Sequence, residues 1–299
     1  MLTGLHILLS YTCTYECDHC FVYSSPRASG TFSIGQIRKV IQEAEVIGTA
    51  KTVFFEGGEP FLFYPLMLEG AKIAKRFGFD FGIVTNGYFA ISEEDAKLWL
   101  APLLELDITN LTISDDLLHS GEVDESAATR ALAAAAEMGI PNGTISVDKP
   151  SVDHPEAAPG EKGEPVVGGG VMFRGRAVEK LASGLPLKSW ETFAECPHEK
   201  LDDPSRVHID CYGNVQLCQG ISIGNMWELP LSSIIGDYDF KRHPILKSIE
   251  GGGPAQLVRD FDVEHSEGHV DACHLCYQAR LSLIDKFPEY LAPVQVYGR

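Results

Sequence analysis

The sequence predicts an α/β fold: a parallel sheet, open or barrel-like, over residues 1–187, followed by a smaller cysteine-rich unit over 188–299. Three observations lead there. Strand-like apolar runs alternate with amphipathic helical segments at the pace of βα units. Polar residues in capping positions open the helical segments. Past residue 187 the composition shifts toward Cys, Asp and Gly and helical periodicity weakens, except near ARLSLIDKFPEYL.

In chain order, GLHILLS reads as a first strand. The helix SIGQIRKVIQEAEVIG follows, with Ser33 and Gln36 at capping-box spacing and Ile37, Val40, Ile41 and Ala44 on one face. KTVFFEGGEP is a second strand, LMLEGAKIAKRFG a helix ended by Gly78, and FDFGIVTNG a third strand. Ser92 can cap the helix EEDAKLWLAPLLEL, ITNLTISDD is a fourth strand, Asp124 can cap ESAATRALAAAAEMG, and NGTISVDK is a fifth strand. Residues 149–170 break this rhythm with Pro, Gly and charge and read as a mobile loop or lid. A sixth strand is expected just before the GRA of residues 175–177.

Composition limits the function classes. A hydrophobic content of 44% over 299 residues is ample for a core. A net charge of -18 and no local basic patch argue against a nucleic-acid or anionic-membrane partner, because a polyanion would be repelled. No apolar run is long enough to span a bilayer and the N-terminus lacks a secretory signal, so a cytoplasmic location is expected. In that reducing compartment eight cysteines read as metal ligands or reactive thiols rather than disulfides.

Loops at the C-terminal ends of parallel strands share one face, where chemistry collects. The unusual stretches all sit there: CTYECDHC after the first strand, EGGEP after the second, TNG after the third and SDD after the fourth. Cys13, Cys17 and Cys20 could surround one metal centre, yet the fourth ligand such a centre normally needs is missing. Zinc completed by His19 or a distant residue is the alternative on spacing alone.

Cys13-x3-Cys17-x2-Cys20 followed by Gly57, Gly58, Glu59 and Pro60 resembles the radical SAM superfamily. The resemblance implies a partial TIM-like (β/α)6 barrel with a small C-terminal auxiliary iron–sulfur domain. It implies that Cys13, Cys17 and Cys20 hold three irons of a [4Fe-4S] cluster, the fourth iron being left for S-adenosylmethionine (SAM). GGEP would bind the methionyl amino group of SAM, and Asn86 and Ser114 lie where family members contact its ribose or carboxylate. His19 stands where many members carry an aromatic beside the adenine. The residue types suit these tasks, since paired glycines allow close backbone approach, a carboxylate accepts from an ammonium, and thiolates are soft ligands.

The second cysteine group resembles the auxiliary-cluster extensions called SPASM and Twitch. Cys196 precedes GNVQLC, with Gly213 and Cys218, and CHLC supplies Cys273 and Cys276. One auxiliary [4Fe-4S] cluster on Cys196, Cys218, Cys273 and Cys276 is implied, closer to Twitch than to SPASM because half of the full array is absent. Zinc competes here too, with His265 and His269 nearby, although both histidines read as solvated loop residues. Cys211 is left over: a hydrogen-atom donor to a substrate radical, as in some family epimerases, or a small buried hydrophobe.

The implied reaction is reductive cleavage of SAM to a 5′-deoxyadenosyl radical that abstracts hydrogen from a substrate. A ribosomally made peptide or protein is the first expectation, for cross-linking, epimerisation or related maturation. A small-molecule biosynthetic intermediate is the second, and a non-catalytic zinc or iron–sulfur interaction protein the third. The chain begins almost at its first strand, which leaves room for a separate peptide-recognition protein. A reductant such as flavodoxin or ferredoxin is implied as a partner.

Overall fold

The computed structural model describes residues 1–121, 125–158 and 161–299. The strands of the first half are β1 (Gly4–Ser10), β2 (Thr52–Gly57), β3 (Asp80–Thr85), β4 (Asn110–Ser114) and β5 (Asn142–Ile145). Four short strands follow: β6 (Ser151–Asp153), β7 (Glu156–Ala158), β8 (Glu161–Lys162) and β9 (Val166–Gly168). The second half adds β10 (Lys188–Ser189), β11 (Arg206–Asp210), β12 (Asn214–Cys218), β13 (Ile221–Asn225) and β14 (Gly268–His269). The helices are α1 (Ile34–Ile47), α2 (Tyr64–Arg76), α3 (Glu93–Leu104), α4 (Leu117–Ser120), α5 (Ala127–Glu137), α6 (Arg176–Lys180), α7 (Leu231–Gly236), α8 (Pro244–Phe261) and α9 (Ala272–Leu283).

One eight-stranded sheet carries the molecule in the order β13-β12-β11-β1-β2-β3-β4-β5. Strands β1 to β5 are parallel neighbours in chain order, and β11 lies parallel to the free side of β1. Strands β12 and β13 then extend the sheet antiparallel. Its two faces differ because side chains alternate along each strand. One face is apolar and fully buried: Leu5, Ile7, Val53, Phe55, Phe81, Ile83, Val207 and Ile209 are all 0% exposed. Each such side chain contributes roughly 1.5–3 kcal/mol of burial. The opposite face carries His6, Glu56 and His208 and opens on a cavity.

Local chemistry sets the helices. Ser33 Oγ accepts from the Gln36 amide at 3.3 Å while Gln36 Oε1 accepts from the Ser33 amide at 2.7 Å, closing the expected capping box. Ile37, Val40, Ile41 and Ala44 form the buried face of α1, which packs on α2 and α7. Ser92 caps α3 by accepting from the Asp95 amide. Asp124, expected to cap the next helix, lies outside the described residues; Ser126 accepts from the Thr129 amide and caps α5.

Three expectations differ from the structure. Residues 171–173 form no strand, and the sixth parallel strand is β11, drawn from beyond residue 187. The reason is that the Phe173 amide donates to Asp271 and Gly175 turns at φ +61, so this stretch is used to anchor side chains instead of a ladder. Residues 149–170 are not a plain loop, since β6 pairs with β9 and β7 with β8. Weak periodicity past residue 187 concealed α8, because Gly252, Gly253 and Pro254 kink it and rotate its apolar face. Among the described residues, no helix is long and apolar enough to cross a membrane.

Candidate functional site

The loop leaving β1 carries Cys13, Cys17 and Cys20, and the loop leaving β2 carries GGEP. They are welded together. The Gly58 amide donates to the Ser10 carbonyl at 2.6 Å and the Glu59 amide to the Thr12 carbonyl at 2.9 Å. A Cβ on Gly58 would stand 2.2 Å from the Thr12 oxygen, and one on Gly57, at φ +137, would stand 2.4 Å from the Ser10 oxygen. Both glycines are therefore required by the close approach of one loop to the other.

Glu59 is fully buried. Its carboxylate accepts from Thr85 Oγ1 at 2.7 Å, the Phe61 amide at 2.9 Å and the Asn86 amide at 2.8 Å. Burial pushes its pKa up to about 7, although these three donors favour the charged form. Asn86, fixed in this way, donates from Nδ2 to Thr14 Oγ1 at 2.9 Å and to Cys13 Sγ at 3.6 Å. A chain of polar contacts thus runs from GGEP through the end of β3 to the first cysteine.

A cavity of about 520 Å³ lies over this junction. Cys13, Cys17, Cys20, His19, Gly57, Gly58, Asn86 and Ser114 all line it. Glu59 and Pro60 do not; they sit buried behind the lining. His19 packs edge-on against His119, with ring centroids 4.6 Å apart. Burial, aided by His119, lowers its pKa to about 4, so the ring is neutral near pH 7.

Three thiols are the soft donors that an iron–sulfur cluster selects. A tetrahedral Zn–S bond of about 2.3 Å places sulfurs about 3.8 Å apart. Among the described residues no three cysteine sulfurs fall within 4.8 Å of one another. Burial pushes the Cys13 thiol up to about 11 and raises Cys17 further, so a thiolate here calls for a bound metal.

Cys196, Cys218, Cys273 and Cys276 come together around a second, smaller apolar pocket. Cys273 and Cys276 share one face in the first turn of α9, whose N-cap Asp271 accepts from the His274 amide at 2.7 Å. Two buried guanidiniums border the pocket. Arg174 donates to Cys218 Sγ at 3.0 Å, and Arg280 donates to the Gln219 carbonyl at 3.0 Å. Each retains a buried Nε without a partner. Uncommitted positive donors beside four thiols suit an anionic metal–thiolate group. His265 and His269 do not line the pocket; His269 is fully buried instead of solvated and meets Gln278 Oε1 at 3.0 Å.

Cys211 lines neither site. It is buried in the apolar core, its thiol pushed up to about 12 by burial, and its carbonyl accepts from Trp227 Nε1 at 3.1 Å. The spacing of motifs also missed Arg174 and Arg176. Arg176 donates to the Cys17 carbonyl at 2.6 Å and the Ser24 carbonyl at 2.8 Å. The head of α6 therefore braces the first cysteine loop and the second pocket together. The GRA triplet was a usable signal, although it pointed to a strand end.

Residues 7–149 match the Radical SAM superfamily. That family uses SAM and a [4Fe-4S] cluster. The chain is 30% identical over 120 residues to the putative peptide biosynthesis protein YydG of Bacillus subtilis (strain 168), covering 40% of this chain and 38% of that one. It is 27% identical over 119 residues to the tungsten-containing aldehyde ferredoxin oxidoreductase cofactor-modifying protein of Pyrococcus furiosus, covering 40% of this chain and 32% of the relative. The matched segments therefore span about a third of each of these curated relatives. Among solved structures, BtrN in an open conformation is similar at 14% identity and a TM-score of 0.48, covering 84% of this chain and 87% of that one. SuiB of Streptococcus suis bound to S-adenosylmethionine is similar at 11% identity and a TM-score of 0.41, covering 91% and 77%.

Proposed function

We propose that this chain, which carries a radical SAM domain at residues 7–149, cleaves SAM reductively and abstracts hydrogen from a ribosomally made peptide or protein. The observation that carries the reading is the convergence of Cys13, Cys17, Cys20, Gly57, Gly58 and Asn86 on one cavity. When bound, SAM and the cluster supply a 5′-deoxyadenosyl radical.

The chain's own residues have simpler tasks. Cys13, Cys17 and Cys20 hold the cluster, and Asn86 steadies Cys13. Gly57 and Gly58 form a side-chain-free wall on which SAM can lie, and Ser114 faces it from β4. Glu59, buried behind that wall, fixes the backbone of Asn86 and so positions the site. Phe21, Val22, Val147 and Met172 add apolar lining that excludes water from the reacting carbon.

Residues 188–299, which also give β11, β12 and β13 to the central sheet, are read as bearing a Twitch-like auxiliary [4Fe-4S] cluster on Cys196, Cys218, Cys273 and Cys276. The peptide assignment takes its support from the similarity to YydG, a putative peptide biosynthesis protein. A cytoplasmic location, a flavodoxin or ferredoxin reductant and a separate peptide-recognition protein complete the reading.

The test is anaerobic. Reconstituted protein, dithionite and SAM are expected to yield 5′-deoxyadenosine, and a variant with Cys13, Cys17 and Cys20 changed to Ala none. An iron-loaded wild type that forms no nucleoside would sink the proposal. Acceleration by a peptide supports the substrate class; acceleration only by small metabolites overturns it.

A further inference from the structure

Three side chains on the floor of the same cavity are not among those assigned to SAM above. His6 on β1, Glu56 on β2 and His208 on β11 come from three adjacent strands. The register places them side by side: His6 pairs with His208, and Glu56 stands two residues beyond Phe54, the β2 partner of His6. His6 Nδ1 lies 3.1 Å from Glu56 Oε2, and His208 Nε2 lies 3.3 Å from Glu56 Oε1. One ligand atom from each residue falls within 4.8 Å of the others. The Phe54 ring, stacked on His6 at 4.9 Å, holds that imidazole in place.

The polar bookkeeping leaves a gap. His208 is 5% exposed and its Nδ1 has no partner. Its Nε2 faces the Gln219 amide nitrogen at 3.3 Å on one side and the Glu56 carboxylate on the other. An amide nitrogen only donates, so an Nε2 that accepts from it has no proton for Glu56. With the amide turned over its oxygen accepts from Nε2–H instead, and His208 Nδ1 stays without a partner either way. The Gln219 amide oxygen is also buried and unpartnered. Arg206, a cation of the lining, is engaged by Glu199 at 3.0 Å.

We propose that His6, Glu56 and His208 bind one divalent transition-metal ion on the cavity floor. Two imidazoles and a carboxylate suit Zn, Fe(II) or Mn(II). Bonds of about 2.1 Å with tetrahedral to octahedral angles put neighbouring donors about 3.0–3.4 Å apart; His6 and His208 each stand in that range from one oxygen of Glu56, at 3.1 and 3.3 Å, and the three residues' ligand atoms lie within 4.8 Å of one another. The remaining coordination positions open into the cavity, where a carbonyl or carboxylate oxygen of a substrate can complete them.

Full-length protein with its iron–sulfur sites loaded, cleared of loose metal on chelating resin, is titrated anaerobically with Mn(II), and the free aqua-ion signal is followed by EPR. One bound equivalent is expected, displaced by Zn(II) as the usual order of affinities requires. Glu56→Gln and His208→Gln should each weaken binding at least tenfold at unchanged iron content. A wild type that binds neither Mn(II) nor Zn(II), or a folded Glu56→Gln protein that binds as wild type, overturns the site. If both variants fail to fold, His6→Gln at the more exposed ligand replaces them, and wild-type binding by it has the same meaning. The titration uses no SAM: protein that forms deoxyadenosine but binds no metal refutes only this site, and the converse refutes only the proposed reaction.

Discussion

Arg174 reaches from the head of α6 to donate a hydrogen bond to Cys218 Sγ at 3.0 Å, and two residues later Arg176 donates to the Cys17 carbonyl. One short segment thus holds both cysteine groups. Changing Arg174 to Met removes a buried charge beside four thiols and leaves Cys218 without its donor. The expected outcome is selective loss of the auxiliary group, iron falling from about eight toward about four per chain, while deoxyadenosine formation persists. Iron and sulfide analysis with EPR checks this; full iron content in the variant would show the contact to be dispensable.

Two glycines separate steric from conformational cost. Gly78 sits at φ +81 with nothing within 4 Å of an added Cβ, so Gly78→Ala should cost on the order of 1 kcal/mol. At Gly58 the added Cβ meets backbone 2.2 Å away, and about 3 kcal/mol is expected, together with lower iron at the first site. Urea unfolding of the two variants decides. Equal losses would mean that the two loops are not locked together.

Cys211 gives a sharper result by doing little. Buried in the core and away from both sites, it should tolerate Ala at a cost of roughly 1 kcal/mol. Deoxyadenosine and final product should form as in wild type. Accumulation of a hydrogen-deficient or unquenched product in Cys211→Ala would restore the donor role.

His243 makes stability depend on pH. Its Nδ1 accepts from the Ile245 and Leu246 amides at 3.2 Å, and its Nε2 meets the Ser222 carbonyl at 3.0 Å, which requires the neutral ring. Burial lowers its pKa to about 4 from the ordinary 6.5. A depressed histidine stabilises fully above 6.5 and loses that contribution as pH falls toward 4. Between pH 7.5 and 5.5 wild type should lose about 1.4 kcal/mol more than His243→Asn, whose amide can still cap α8. Parallel urea curves at both pH values would refute this.

Much of the first half was legible because its signals are local. A capping box at Ser33 and Gln36, a cap at Ser92 and a cysteine triad each lie within a few residues. What escaped depends on contacts between distant segments. GGEP announces Glu59 without showing that its carboxylate turns inward to Thr85 and Asn86, away from the cavity. Arg174 and Arg176 acquire meaning only when the cysteine loop is folded beside them. Glu56, one residue before the paired glycines, looks like ordinary strand alternation until β11 brings His208 opposite.

Gly4 of β1 pairs with Thr52 on one side and with Arg206 on the other. Emerging from a ribosome, the chain completes the first of these pairings early and the second only after most of its length has been made. Until then β1 presents an unpaired edge, which invites association with other nascent chains. The excess of acidic residues opposes that association, so net charge guards an unfinished sheet.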